Sequence, residues 1–137
     1  AGATAFVVQE ERRGVEVLVG ARRDEVFGPV VVLGTGGVLA EVVRDVSLRL
    51  VPLDPDEAQE MLAEGARPRL LAGPRGLPAV EPGAVMVALG VVADLIAAAP
   101  RILEIDVNPL IAAGTRAVAV DALVVLADAP VGDPAPR

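Results

Sequence analysis

Short runs of β-branched and other aliphatic residues recur along this chain, and Gly, Pro and charged residues separate them. Apolar runs of roughly four to eight residues between turn-forming residues are typical of strands. We therefore predict a fold that contains several strands. The predicted strands are residues 4–8, 15–21, 29–33, a half-buried strand or bent pair over 41–51, and a final pair at 102–107 and 117–126.

Two longer segments are predicted to be helices. The first follows Asp54, whose side chain can cap free backbone N–H groups, and Pro55, which fits a first helical turn; it should end near Glu64. The second covers residues 82–99, where Asp94 alone interrupts an apolar surface, so we predict burial on more than one side. Its uncharged stretch is shorter than the roughly 20 residues that span a bilayer, so we expect no membrane partner.

Composition bounds both the size of the fold and its chemistry. A chain of 137 residues that is 53% hydrophobic can form one compact domain. It has no His and no Cys, which excludes thiolate or Ser-His nucleophiles and the usual zinc sites. A net charge of -7 argues against a nucleic-acid partner. The absence of Cys is consistent with the cytoplasmic location that we expect.

We predict a single structured unit over residues 1–127 and a flexible, Pro-rich tail over residues 128–137. All 12 basic residues in the chain are Arg. Any Lys that binds phosphate must therefore come from outside this chain.

Oxygen-bearing side chains cluster in one stretch of the sequence. Glu104, Asp106 and Asn108 alternate, so they would share one face of a strand. Asp121 interrupts the apolar run of the next predicted strand, and an antiparallel pair would bring it close to Asp106 and Asn108. Such an all-oxygen set suits Mg²⁺. From spacing alone, however, a structural role is favoured, in which Asp121 caps a turn beside an Asn–Pro turn.

Three separated blocks carry a resemblance to a known family. They are residues 14–30, residues 34–53 and residues 104–122. In order and spacing, they resemble the nucleotide-binding subunit of nucleoside-diphosphate-forming acyl-CoA synthetases, which include ADP-forming acetate–CoA ligase and succinyl-CoA synthetase. The resemblance implies an α+β (α/β) fold, the C-terminal subdomain of an ATP-grasp domain, with a mostly antiparallel sheet and two main helices packed on it.

The resemblance also implies roles for individual residues in binding Mg²⁺ and ATP. Asn108 and Asp121 resemble the magnesium ligands, and Asp106 lies where an acidic neighbour helps to hold the metal. The residues implied in nucleotide binding are Gln9 and Glu10, as a hinge whose backbone meets the adenine, and Glu16, as an acidic support. Without the resemblance, Glu16 would be interpreted as a solvated charge on a strand.

Two further segments allow alternative interpretations. Residues 34–37 could cradle phosphate through backbone N–H groups, but a tight turn is favoured because neither a Lys-Ser/Thr pair nor a helix start follows. Arg44 and Arg49 could bind phosphate or carboxylate. The favoured interpretation pairs them with Glu41 and Asp45 on a solvated sheet face.

Proteins of the resembled family make acyl-CoA from a carboxylic acid, CoA and ATP through a phosphorylated histidine, and release ADP and phosphate. This chain contains no His. We therefore predict the Mg-ATP-binding half of such an enzyme, which is inactive without the other ATP-grasp half and the CoA-binding domains. The alternative is a non-catalytic, degenerate ATP-grasp module that serves assembly or regulation, for which the apolar helix 82–99 would suit docking.

Overall fold

The computed structural model describes residues 5–37 and 45–128, without the side chain of Arg75. Within them, one antiparallel sheet follows the order β3-β2-β1-β4-β5, and β6 pairs with β4 next to β5. The strands are β1 (Val15–Asp24), β2 (Gly28–Thr35), β3 (Val46–Leu50), β4 (Ile102–Ala113), β5 (Arg116–Ala119) and β6 (Ala122–Leu126). The helices are α1 (Pro55–Ala63), α2 (Arg67–Leu71) and α3 (Pro82–Ala98), with a short 3₁₀ turn at Pro74–Gly76.

Local sequence explains where α1 begins. The Asp54 side chain accepts a hydrogen bond from the N–H of Asp56 at 2.8 Å, and Glu57 reaches back to the N–H of Asp54 at 3.3 Å. This reciprocal capping box satisfies backbone donors that have no partner inside the helix. The predicted first helix is confirmed, and it buries Ala58 and Met61 against the core.

Helix α3 is confirmed in extent but not in burial. Val85, Leu89 and Ile96 are fully buried against the sheet, whereas Val87 and Val91 are 68% and 53% exposed. The prediction of burial on more than one side was wrong, because in the described part of the chain the helix contacts the sheet and α1 and nothing covers its far side. No helix in that part is long and apolar enough to cross a membrane.

The core lies between the helices and one face of the sheet. Alternate residues of each strand point into it, which is why β1 buries Val15, Val17 and Val19. The opposite face carries no described helix. There, Leu48 and Leu50 of the edge strand β3 are each more than half exposed. This open face also carries Glu16 and Asp106, two of the predicted site residues.

Two strand predictions fail at the ends of the chain. Residues 5–13 form no regular structure before β1, and Phe6, Val7 and Val8 are at least 85% exposed. A strand needs a neighbour to pair with its backbone, and no described strand lies beside this segment. The predicted strand 117–126 is divided into β5 and β6, with Asp121 at the break. The predicted tail lies outside the described residues, except for Asp128.

The middle of the chain is described in part, and it differs from prediction at one helix. Residues 38–44 lie outside the described residues, so only the β3 part of the predicted strand 41–51 is observed. Its polar side faces the helices, since Ser47 is buried while Leu48 is exposed on the open face. The predicted loop 67–78 contains the helix α2, which begins with the buried Arg67. Arg67 and Ser47 belong to one polar cluster, described below.

Candidate functional site

A bulge in β4 lies at the centre of the candidate site. Val17 pairs with Leu110 and Val19 pairs with Val107, so two steps along β1 match three along β4. The extra residue falls at Asn108–Pro109, whose peptide bond is cis. Bulges of this kind re-aim side chains and interrupt the ladder. Asn108 is therefore released from regular pairing with β1.

Asp121 lies next to this bulge. The backbone N–H of Asn108 donates to the carbonyl of Asp121 at 3.2 Å, and the N–H of Val120 donates to the carbonyl of Pro109 at 3.1 Å. After Asp121, β6 runs antiparallel to β4, with Asp106 opposite Leu123. The predicted antiparallel approach of the two segments is thus observed, and it brings the three predicted magnesium ligands together.

The electrostatics of this region disfavour additional negative charge. Partial burial raises the pKa of Asp106 above the ordinary aspartate value, and the nearby carboxylates of Glu104 and Asp121 raise it further. Among the arginine side chains that the structure describes, none lies within ion-pair distance of these three carboxylates. A cation bound here would relieve their mutual repulsion.

The oxygen donors of this region fit part of the coordination shell of a Mg²⁺ ion. Among the described residues, no three His, Cys, Asp or Glu side chains form a metal-binding group. Asp106 and Asp121 supply two carboxylates, and the amide oxygen of Asn108 is a third donor. Mg²⁺ commonly takes one or two carboxylates from protein and completes its shell with water and nucleotide phosphates. The set therefore suits a Mg²⁺ ion that is shared with a nucleotide.

Glu16 lies on the same open face as this cluster. It is exposed, and along β1 it shares a side with Gly20, which is the register partner of Asp106. Four residues along a strand correspond to about 13 Å. The Glu16 carbonyl accepts the N–H of Gly36 at 3.0 Å, and a Cβ added at Gly37 would overlap the Glu16 carboxylate. Glu16 is thus positioned against the glycine-rich turn.

The backbone of this turn is already engaged. The N–H of Thr35 donates to the carbonyl of Asp45 at 3.2 Å, and that of Gly36 donates to Glu16. Gly37 has φ +69°, a conformation that glycine adopts readily. Because these donors are occupied, the structure favours the tight turn over the phosphate cradle.

The predicted hinge residues lie apart from this cluster. Gln9 and Glu10 are exposed in the irregular segment before β1, and Glu10 forms an ion pair with Arg12 at 2.8 Å. In the described ranges, no hydrogen bond or ion pair connects them to Glu16 or to Asp106. Their proposed contact with adenine remains a prediction.

A polar cluster behind β3 was not predicted from the sequence. Arg67 is 1% exposed and forms an ion pair with Asp45 at 3.2 Å, although its place in a predicted loop gave no signal of burial. Arg49 pairs with Glu64, and not with Asp45 as predicted. The predicted partners Glu41 and Arg44 lie outside the described residues.

Glu64 links the two arginines of this cluster. The pKa of the Glu64 carboxyl is lowered below its ordinary value, mainly by a hydrogen bond from Ser47 and then by one from Arg49. Partial burial opposes this lowering. Glu64 also lies 3.6 Å from Arg67. The cluster therefore connects β3 to α1 and α2 through charged groups.

A cavity of about 440 Å³ lies beside the glycine-rich turn, between the ends of β1 and β2 and the segment that contains α2. Thr35 lines it, and its hydroxyl is buried without a hydrogen-bond partner in the part of the chain that the structure describes. This unsatisfied group was not predicted. The other lining residues include Val15, Glu16, Gly36, Arg69, Leu70 and Leu77.

The chain belongs to the ATP-grasp domain family, whose model matches residues 1–126. Subunit beta of the ADP-forming acetate–CoA ligase I of Pyrococcus furiosus is 42% identical over 113 residues, which are 82% of this chain and 49% of that subunit. A trans-feruloyl-CoA synthase from an unknown prokaryotic organism is 38% identical over 117 residues, which are 84% of this chain and 16% of that protein. The sequence resemblance to ADP-forming acetate–CoA ligases is confirmed.

Solved structures show the same fold. The dinucleotide-forming acetyl-coenzyme A synthetase 1 of Ca. Korarchaeum cryptofilum, in complex with coenzyme A, acetyl-coenzyme A and a phosphorylated phosphohistidine segment, is 38% identical with a TM-score of 0.82. The match covers 87% of this chain and 53% of that chain. Another structure of that protein, with coenzyme A and Mg-AMPPCP, gives a TM-score of 0.79. The predicted fold class is confirmed, and the chain spans about half the length of the beta subunit and of the solved chain.

Proposed function

We propose that this chain is the Mg-ATP-binding half of an ATP-grasp acyl-CoA synthetase. The complete enzyme would convert a carboxylic acid, CoA and ATP into acyl-CoA, ADP and phosphate. The observation that carries the proposal is the approach of Asp121 to the bulge at Asn108, beside Asp106, on a sheet face that no described helix covers. ATP and CoA are cytoplasmic metabolites, so the proposal includes a cytoplasmic location.

Each site residue has a distinct part in this proposal. Asn108 and Asp121 would hold Mg²⁺, and Asp106 would add a nearby negative charge. When bound, the ion would neutralise charge on the transferring phosphoryl group. Glu16, further along the open face, would contact the nucleotide. The backbone of Gln9–Glu10 would meet the adenine from the segment that leads into β1.

The proposal also explains why the chain would be inactive alone. Phosphoryl transfer depends on positioning and on charge neutralisation from more than one side of the phosphates. This chain supplies acidic and amide ligands on one sheet, but it contains no Lys and no His. The remaining ATP-grasp half, the CoA-binding domains and the histidine would come from other domains or subunits. Two relatives are named as beta subunits, which is consistent with a divided enzyme.

Calorimetry of magnesium-dependent ATP binding tests the proposal. The sample is the longest native polypeptide that contains this segment, compared with Asp121→Ala and Asn108→Ala. We expect both variants to lose metal-linked nucleotide binding while circular dichroism shows a retained fold. Asp94→Ala is the matched control, because Asp94 is exposed on α3, away from the open face.

Either of two results would contradict this proposal. The first is parent-like binding by Asp121→Ala and Asn108→Ala, which would remove the metal assignment. The second is an absence of Mg-ATP binding by the parent polypeptide with its partner domains present.

The second candidate function is a non-catalytic ATP-grasp module that serves assembly or regulation. The exposed apolar side of α3, with Val87, Val91 and Leu95, favours it, because contiguous apolar patches often mark interfaces. Substitution of Val87 and Val91 by Ser should then disrupt assembly with the other domains while Mg-ATP binding persists. Light scattering measures assembly. Because the first candidate also requires those domains, the two candidates are distinguished by whether Asp121→Ala and Asn108→Ala lose Mg-ATP binding.

A further inference from the structure

Arg67 is fully buried, which is unusual for an arginine. It is among the largest fully buried side chains in the described residues. Its guanidinium donates to the carbonyl of Met61 at 2.6 Å, to the carbonyl and carboxylate of Asp45 at 3.2 Å each, and to the Ser47 hydroxyl. A buried guanidinium is tolerated only where its N–H donors have partners, so this geometry holds Arg67 in one place.

Asp45 connects Arg67 to the glycine-rich turn. Its carboxylate accepts the N–H of Ala66 at 2.9 Å in addition to the arginine, which fixes it to the start of α2. Its carbonyl accepts the N–H of Thr35 at 3.2 Å as well as that of Arg67. One residue thus attaches the end of β2 to the buried arginine.

The glycine-rich turn restricts the position of Glu16. Gly36 donates to the carbonyl of Glu16, and a side chain at Gly37 would overlap the Glu16 carboxylate. A shift of the Thr35–Gly37 segment would therefore move or crowd that carboxylate. A continuous series of contacts leads from Arg67 through Asp45 and this segment to Glu16.

We propose that Arg67 is a positioning residue for nucleotide binding, because through Asp45 and the Thr35–Gly37 turn it sets the place of the Glu16 carboxylate on the open face. This inference rests on the proposed function, in which Glu16 contacts the nucleotide. The simpler alternative is that Arg67 only secures α2 to β3. That alternative predicts a loss of stability without a change in the affinity of folded molecules for nucleotide.

A double-mutant cycle in the longest native polypeptide separates the two roles. The variants are Arg67→Lys, Gly37→Ala and Glu16→Ala, and the first two are also combined with the third. The matched control is Arg101→Lys, the same substitution at an exposed arginine just before β4, at the far end of the sheet from Glu16. Calorimetry gives the Kd for Mg-ATP, and circular dichroism without nucleotide gives the folded fraction. Arg67→Lys keeps the charge, so it is expected to fold where a neutral replacement would not.

We expect Arg67→Lys and Gly37→Ala each to weaken Mg-ATP binding by about tenfold among folded molecules, as for the loss of one charge-assisted contact. In the Glu16→Ala background, either change should weaken it by less than about twofold, because coupled residues are not additive. The Arg101→Lys control should bind like the parent.

Two results would overturn the inference while the proposed function stands. One is parent-like affinity in Arg67→Lys and Gly37→Ala. The other is a further weakening of Mg-ATP binding by about tenfold when Arg67→Lys or Gly37→Ala is combined with Glu16→Ala. If the parent polypeptide binds no Mg-ATP, the proposed function fails and this inference fails with it.

Discussion

The unpaired hydroxyl of Thr35 gives the sharpest test of the packing described above. Thr35 ends β2, is only 8% exposed, and its hydroxyl has no partner in the described residues. A buried polar group without a hydrogen bond costs about 1–3 kcal/mol. Val keeps the β-branched shape and the strand preference of Thr but lacks the hydroxyl. We therefore expect Thr35→Val to raise the free energy of unfolding by about 1–2 kcal/mol.

Thermal unfolding followed by circular dichroism measures this effect. With an unfolding entropy of roughly 2 cal/mol/K per residue, a gain of about 1–2 kcal/mol in a chain of this size raises Tm by about 3–7 °C. Thr115→Val is the control, because Thr115 is exposed in the turn between β4 and β5 and should change stability by less than about 0.5 kcal/mol. A lower Tm for Thr35→Val would refute the reasoning, since it would show that the hydroxyl has a partner in the folded protein.

Three further changes test the fold and the acidic cluster. Asp106→Asn should stabilise the protein at pH 7. The raised pKa means that the folded state favours protonated Asp106, so the parent loses stability as pH rises through that pKa. In pH-dependent denaturation, the stability gained by the variant should vanish below about pH 4. Asp54→Ala should cost about 1 kcal/mol in urea denaturation through loss of the helix cap. Leu89→Ala should cost about 2–5 kcal/mol in the same assay, because it leaves a cavity under α3.

Exposed residues of similar type provide the controls. Asp94→Asn should show no comparable gain at pH 7, and Gln59→Ala and Val87→Ala should each change stability by less than about 0.5 kcal/mol. A pH-independent gain in the first test would assign the effect to packing and not to ionisation. Equal losses for the buried leucine and for Val87 would contradict the one-sided burial of α3.

Local signals were sufficient where an element is specified by its own residues. The capping box at Asp54 placed α1, and the β-branched runs placed most of β1 and β2. They failed where a partner decides the outcome. Residues 5–8 have the composition of a strand, but without a neighbouring strand the segment is irregular. The one-sided burial of α3 likewise depends on what packs around it, which an apolar sequence does not specify.

The candidate site shows the same division. Alternation along β4 predicted that Asp106 and Asn108 share a region, and the antiparallel approach of Asp121 followed from the order of the runs. The bulge at Asn108 was not predicted, because a one-residue register change arises from pairing with β1. The interior position of Arg67 also had no local signal.

By itself, the sequence determined the aliphatic core, the starts of α1 and α3, the family and the oxygen donors available for a metal, because each of these depends on residue type and short-range spacing. Tertiary structure alone decided which apolar surfaces are covered, where the β4 bulge falls, and how Asp45 connects Arg67 to the turn beside Glu16. Burial, register and the pairing of charges depend on residues that are distant in the chain. Their energies arise only when folding brings those residues into contact.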